Sequence, residues 1–360
     1  MPAKKQTQNP ETNKISLHGV KFPLAFLALG LFVYILIQAK SLLLPLVMAI
    51  GLWYLINAIA KRFARLDIGG FKIPGFFCYL AAIAALGAGI YLIIDLVSRN
   101  IAQVVETAPL YQAKLELMFD QAVKALKLED QPSIKDIAGY LDVGNIIKNI
   151  ATTFTGIAGT ALIIFVYVAF LLYEQRTFDE KIKSMATNKT QEKRIRNILE
   201  SIDTKIQTYL WVKTVMSALT GGLSFVVMKW VGVDFAEFWG LIIFFLNFIP
   251  TIGSLLGIIF PTLLTIVQFD TMGPFLIVSV GLSSIQMGIG NFLDPRMMGE
   301  SLNLSPLVIL LSLATWGTIW GIPGMLLSIP IMVIVTITLS QFQSTRAIAV
   351  LLSRHGRIEK

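Results

Sequence analysis

The stretch FAEFWGLIIFFLNFIPTIGSLLGIIFPTLLTIVQF, residues 235–269, decides how this chain folds. It is 35 residues long and holds a single charged residue, Glu237. A helix crosses the hydrocarbon with about 20 apolar residues, so this run is too long for one span. Its middle, Asn247-Phe-Ile-Pro250-Thr-Ile-Gly253, carries the reason it breaks. Pro250 has no backbone donor, and Gly253 lets another backbone come close. Residues 304–339 repeat the plan, with breaks at Trp316-Gly317 and Gly321-Ile-Pro323-Gly324. The arms that follow also match: Gly253-Ser-Leu-Leu-Gly-Ile-Ile-Phe-Pro261 sets beside Gly324-Met-Leu-Leu-Ser-Ile-Pro330. Each break is either a tight turn at a membrane surface or the tip of a re-entrant hairpin. Irregular backbone survives at membrane depth only where protein or water satisfies it. Paired Pro/Gly interruptions are the best sequence pointer to a transporter's site.

Outward from these hairpins, the chain reads as all-α and polytopic, with about five full spans around a broken-hairpin core. Residues 1–21 are a polar cytoplasmic tail, and 22–98 hold three spans, at 22–39, 42–60 and 76–97. The first run reads as a retained span, not a signal peptide, because no small-x-small cleavage site follows it. In the third, Ala81, Ala85 and Gly89 form a small-residue stripe that could admit a neighbouring helix. Segment 99–149 is different: Ile101, Val104, Val105, Ala108, Tyr111, Leu115 and Met118 recur at helical spacing, with charges between them. That pattern predicts an amphipathic helix over 101–127, outside the hydrocarbon. Ser133 and Asp136 suggest a capping box for a second short helix. The fourth span is 150–173. A basic amphipathic helix at 174–208 feeds the core, 209–340, and 341–360 is a tail. Lys213 is expected to snorkel to the headgroups.

Composition agrees with this reading. The 360 residues are 55% hydrophobic and 14% charged, with mean hydropathy +0.71. A soluble domain carries roughly 25% charged residues. The net charge of +8 does not point to nucleic acid. With the N-terminus inside, 22 of the 30 Lys and Arg residues fall in cytoplasmic segments, as the positive-inside rule requires. The expected topology therefore has both termini in the cytoplasm. The one cysteine, Cys78, excludes a CxxC site, and His18 and His355 sit in polar terminal segments. No catalytic centre, metal site or cofactor is expected. No GxxxxGK[ST] loop is present, so ATP is not the expected energy source.

The candidate chemistry lies in the last third. Asn247, Gln286 and Asn291 are amides in apolar surroundings, able to bind a neighbouring helix or the hydroxyls of a solute. Pro250, Gly253, Pro323 and Gly324 would shape the hairpin tips. Asp294 and Arg296 flank Pro295 and form either an interfacial ion pair or, with Glu300, a site for a coupling ion or proton. The solute site is expected between the two hairpins and the span at 273–293.

Asn247-Phe-Ile-Pro-Thr-Ile-Gly253 resembles a signature of the autoinducer-2 exporter family of bacterial transporters. Asn291-Phe-Leu-Asp-Pro-Arg-Met-Met-Gly299 resembles its second signature, with Asp294 where Glu is frequent. Leu304-Ser-Pro-Leu-Val308 and the close, Ile348-Ala-Val-Leu-Leu-Ser353, are similar to the quorum-signal branch. The resemblance implies an oligomeric bacterial inner-membrane protein that exports autoinducer-2, a small polar furanone-type signal. Because some relatives are described as sodium/proton antiporters, it also implies an alternative with sodium or protons as partners. A third possibility is a membrane scaffold whose amphipathic segments bind other proteins.

Overall fold

The computed structural model describes residues 17–65, 67–68, 71–72, 74–126, 160–299 and 303–356. The proposed capping box at Ser133, the second short helix and Glu300 lie outside those residues. The described chain is helical apart from one two-residue antiparallel pairing, Asp67–Ile68 with Phe71–Lys72. Six helices are long and apolar enough to cross a membrane, which makes this a multi-pass membrane protein.

Helix α1 (Leu17–Gln38) turns at Ala39 into α2 (Lys40–Phe63). Helix α3 (Gly75–Leu126) is 52 residues long. The amphipathic segment expected at 101–127 is thus not a separate element. It continues the third span, and Pro109 sits inside it. Helix α4 (Thr160–Met185) follows. Ala81 and Ala85 of the small-residue stripe are exposed, and a β-carbon on Gly89 would meet nothing within 4 Å. No described helix packs there, which corrects that expectation.

A polar knot ties α2, α3 and α4 together. Asn57 Oδ1 accepts from Tyr79 Oη at 2.7 Å and from Gln175 Nε2 at 3.2 Å. Trp53 Nε1 donates to Gln175 Oε1 at 2.9 Å. Because the members satisfy one another, the knot can be buried at little cost.

The spine is α5 (Lys189–Val231), 43 residues. Local chemistry sets both ends. Asn188 Oδ1 accepts from the Gln191 amide at 2.8 Å as an N-cap, and Gly232 closes the helix at φ 82°. Hairpin 1, α6 (Ala236–Leu246) and α7 (Ile252–Gln268), packs on its C-terminal half, followed by α8 (Met272–Gln286). The crossing of α5 and α6 needs glycine on both sides. A β-carbon on Gly221 would stand 2.5 Å from the Gly240 carbonyl, and one on Gly240 would stand 2.8 Å from Phe225 Cβ. After α8 come π-helical turns (Met287–Leu293) and the short α9 (Asp294–Met298). Hairpin 2 is α10 (Pro306–Trp320) and α11 (Ile322–Ser340), and α12 (Arg346–Leu352) packs back on α11.

The hairpins open toward opposite ends of α5. Hairpin 1 is sewn shut beside Gly232: the Asp234 amide donates to Gln268 Oε1 at 2.9 Å, and Gln268 Nε2 donates to the Gly232 carbonyl at 2.8 Å. The base of hairpin 2 lies beside the other end, where Leu304 packs with Ile202, Ile206 and Tyr209, and Arg194 donates to the Gln341 carbonyl. The extension of α3 leans on the base of hairpin 1. Tyr111 donates to Asp234, and Lys114 Nζ donates to the Gln268 carbonyl at 3.1 Å. Burial, and then the Asp234 carboxylate, push the Tyr111 phenol up, so it remains a donor through the ordinary pH range.

Candidate functional site

The tip of hairpin 1 is built on unusual backbone. Asn247 ends α6, and the Ile252 amide donates to the Pro250 carbonyl at 2.6 Å, two residues back. That γ-turn puts Thr251 at φ 63°, ψ −57°, a region a β-branched residue rarely occupies. Gly253 then returns the chain so closely that a β-carbon would run into the Leu246 carbonyl oxygen. Strain of this sort costs about 1–3 kcal/mol and collects at working sites. Thr251→Gly is therefore expected to stabilise the fold by about 1 kcal/mol, read as a raised Tm in detergent micelles. An unchanged or lowered Tm would mean the turn is not strained.

Alpha-helix α6 has 11 residues and rises about 16 Å. Its tip therefore docks partway along the spine. Asn247, 6% exposed, donates through Nδ2 to Ser217 Oγ at 3.1 Å. Ser217 lies about 21 Å along α5 from Val231. Asn247, Gln286, Ser224, Ser254 and Gly253 line one small cavity of ≈ 10 Å³, room for about one water. Gln286 folds along its own helix, so that a β-carbon on Gly290 would come within 2.9 Å of its Nε2.

Hairpin 2 does not join this cavity. Its tip turns at Gly321, φ 71°, and Trp320 Nε1 donates to the Leu36 carbonyl at 3.2 Å, close to the α1–α2 turn. Pro323 starts α11, and a β-carbon on Gly324 would strike the Trp316 carbonyl, the same close return seen at Gly253. The spine separates the hairpins, so the expected site between them is divided. Asn247, Pro250, Gly253 and Gln286 belong to the hairpin 1 region, and Pro323 and Gly324 lie elsewhere. Asn291 and Arg296 are exposed and face away from the cavity.

Asp294 has a partner the sequence did not suggest. Lys213 Nζ donates to Asp294 Oδ2 at 2.8 Å, with the side chains 9% and 14% exposed. Lys213 therefore does not snorkel to the headgroups, and Asp294 pairs across 81 positions of sequence and not with Arg296. The missed residues carried a readable signal. Tyr209, Lys213, Ser217, Thr220 and Ser224 recur every three or four positions, which is one face of a helix. All five are at most 7% exposed. Among the described residues no three His, Cys, Asp or Glu side chains cluster closely enough to hold a metal ion.

Comparison with known proteins adds identity to this geometry. A sequence profile described as AI-2E family transporter matches residues 24–344. The AI-2 transport protein TqsA of Escherichia coli K12 is 29% identical over 347 residues, 94% of this chain and 97% of that one. A Borreliella burgdorferi protein, described provisionally as a transport protein, is 30% identical over 317 residues, 87% of this chain and 85% of its own length. A Haemophilus influenzae protein with the same provisional description is 25% identical over 325 residues, 87% of this chain and 90% of its own.

Proposed function

Because the chain belongs to the AI-2E family of transporters, whose profile spans residues 24–344, we propose that it exports a small polar solute across the bacterial inner membrane, with autoinducer-2 as the first candidate. The observation that carries this reading is the buried amide–hydroxyl cluster at the tip of hairpin 1, where Asn247 meets Ser217 and shares a cavity with Gln286. Neutral amides and hydroxyls both donate and accept, which suits a ligand rich in hydroxyls. A cavity of ≈ 10 Å³ holds no such solute. Loading therefore requires hairpin 1 to shift against α5, and the strained turn at Thr251 is placed to absorb that movement.

In this proposal hairpin 1 is re-entrant. Its sewn base marks one face of the membrane and its tip stops near Ser217. Both termini are cytoplasmic, consistent with the distribution of Lys and Arg. Solute export is favoured over sodium/proton exchange because Asp294, the carboxylate available to a coupling ion, is already neutralised by Lys213.

Reconstituted protein tests the proposal. Autoinducer-2 flux and a pH-sensitive dye are followed in parallel in liposomes, with and without a sodium gradient. Flux without a sodium-driven pH change is expected. A pH change with no flux would establish exchange instead, and neither signal would leave a scaffold. Asn247→Ala is expected to lower flux at least about tenfold, the loss of one or two buried hydrogen bonds to solute. Undiminished flux in that variant removes the hairpin tip from the path.

A further inference from the structure

Two buried polar atoms on the spine have no hydrogen-bond partner, and they lie at the same place. Tyr209 is 1% exposed, and its Oη bonds to nothing; Asp294 Oδ1 is likewise buried and unpaired. Tyr209 stands one helical turn before Lys213, which holds the other oxygen of the same carboxylate. It also lies close enough to Asp294 to feel its charge. Buried polar groups are nearly always bonded, so a pair of orphans at one spot points to a missing partner.

The chemistry of the two atoms restricts that partner. A carboxylate oxygen accepts only, whereas a phenol donates and accepts. Lys213 makes the pair electrically neutral. A cation at Oδ1 would face the ammonium bonded to Oδ2 of the same group, which disfavours sodium. A hydroxyl satisfies both orphans at once, donating to Asp294 Oδ1 and accepting from Tyr209 Oη. The spine also connects this spot to the hairpin 1 cavity. From Tyr209 the polar face continues through Lys213, Ser217 and Thr220 to Ser224, about 22 Å of helix. Ser217 and Ser224 already belong to the region around Asn247.

We propose that Tyr209 and Asp294, held by Lys213, form a second subsite that binds one hydroxyl group of a neutral polar solute. The subsite lies at the opposite end of the buried polar face of α5 from the Asn247 cavity. Its geometry stands alone, and only the choice of ligand rests on the transport reading. A solute leaving the first cavity would exchange hydrogen bonds along the hydroxyls of α5 and find its next full set of partners here. The π-helical turns before Asp294 fit such a role, since they interrupt the regular ladder next to the carboxylate.

Tyr209→Phe in the full chain tests this, because it removes one oxygen and keeps the ring. Binding of autoinducer-2 and of ribose to detergent-solubilised protein is measured by calorimetry, and autoinducer-2 flux is measured in liposomes. The variant is expected to bind the solute that the wild type binds about five- to tenfold more weakly, the effect of one hydrogen bond. It is expected to raise the half-saturating concentration for flux by the same factor and to leave Tm unchanged or higher, since an unpartnered hydroxyl is being removed. Equal affinity in variant and wild type would overturn the subsite and leave an ordered water only. A lowered Tm with no change in affinity would assign the hydroxyl to structure. Sodium-dependent heat lost in the variant would make the spot a cation site and overturn the proposal. Wild-type protein that binds neither solute overturns the subsite as well. Binding weakened by Tyr209→Phe without any flux in the wild type would instead remove the transport reading and keep the subsite.

Discussion

Lys213→Ala is expected to destabilise the protein by about 3–5 kcal/mol, the cost of leaving a buried carboxylate without its counter-charge. Asp294 is 14% exposed, its Oδ2 depends on the ammonium at 2.8 Å, and its Oδ1 has no partner to fall back on. Once the lysine is gone, the carboxylate must take up a proton or draw water into the bundle. The double variant Lys213→Ala/Asp294→Ala removes both charges and is expected to recover most of the loss. A neutral replacement of a buried pair is often tolerated, whereas half a pair is not. Unfolding of the wild type, both single variants and the double variant in lipid-containing micelles closes the cycle. A coupling energy below about 1 kcal/mol would place the pair in a far wetter setting than its exposure indicates.

Gly253→Ala is expected to disable the protein more thoroughly than most alanine substitutions. The new β-carbon would meet a backbone oxygen, that of Leu246, in a two-helix turn with no slack. A side chain could rotate away, but the carbonyl can move only by prying α6 from α7. Overpacking of this sort costs about 1–3 kcal/mol even where side chains yield. Here the expected loss is at the upper end, with flux abolished because Asn247 no longer reaches Ser217. Gly324→Ala presents the same collision with Trp316 at the other hairpin and should destabilise comparably. Gly87→Ala is the control: its β-carbon would meet nothing within 4 Å, and alanine favours helix. Equal expression, Tm and flux for Gly253→Ala and Gly87→Ala would mean the close return at the tip is not a constraint.

These two predictions also mark the boundary between what local sequence reveals and what it hides. Gly253 could be found from residues 235–269 alone. An apolar run too long for one span must break, and proline beside glycine shows where. The same argument located Gly324, and both glycines turn out to face the carbonyl of the preceding arm. Lys213 was misplaced because the rule applied to it, that a lysine near a span's end reaches for the headgroups, depends only on position along the chain. Its actual partner lies 81 residues away on another helix. The stripe from Tyr209 to Ser224 was legible as spacing, but spacing cannot say whether a polar face meets water, lipid or protein.

By itself the sequence determined the class of molecule: long apolar runs, basic segments sorted to one side, and two interrupted hairpins in the last third. Those features are local, since hydrocarbon thickness and the loss of a proline donor act over one or two turns of chain. Only the tertiary structure decided that the hairpins open toward opposite ends of α5, that Asn247 and Gln286 share a cavity while Pro323 and Gly324 do not, and that Asp294 is held by Lys213. Each of these turns on which helix faces which. That choice is made by packing among distant elements, and in this chain by the crossing that Gly221 and Gly240 allow.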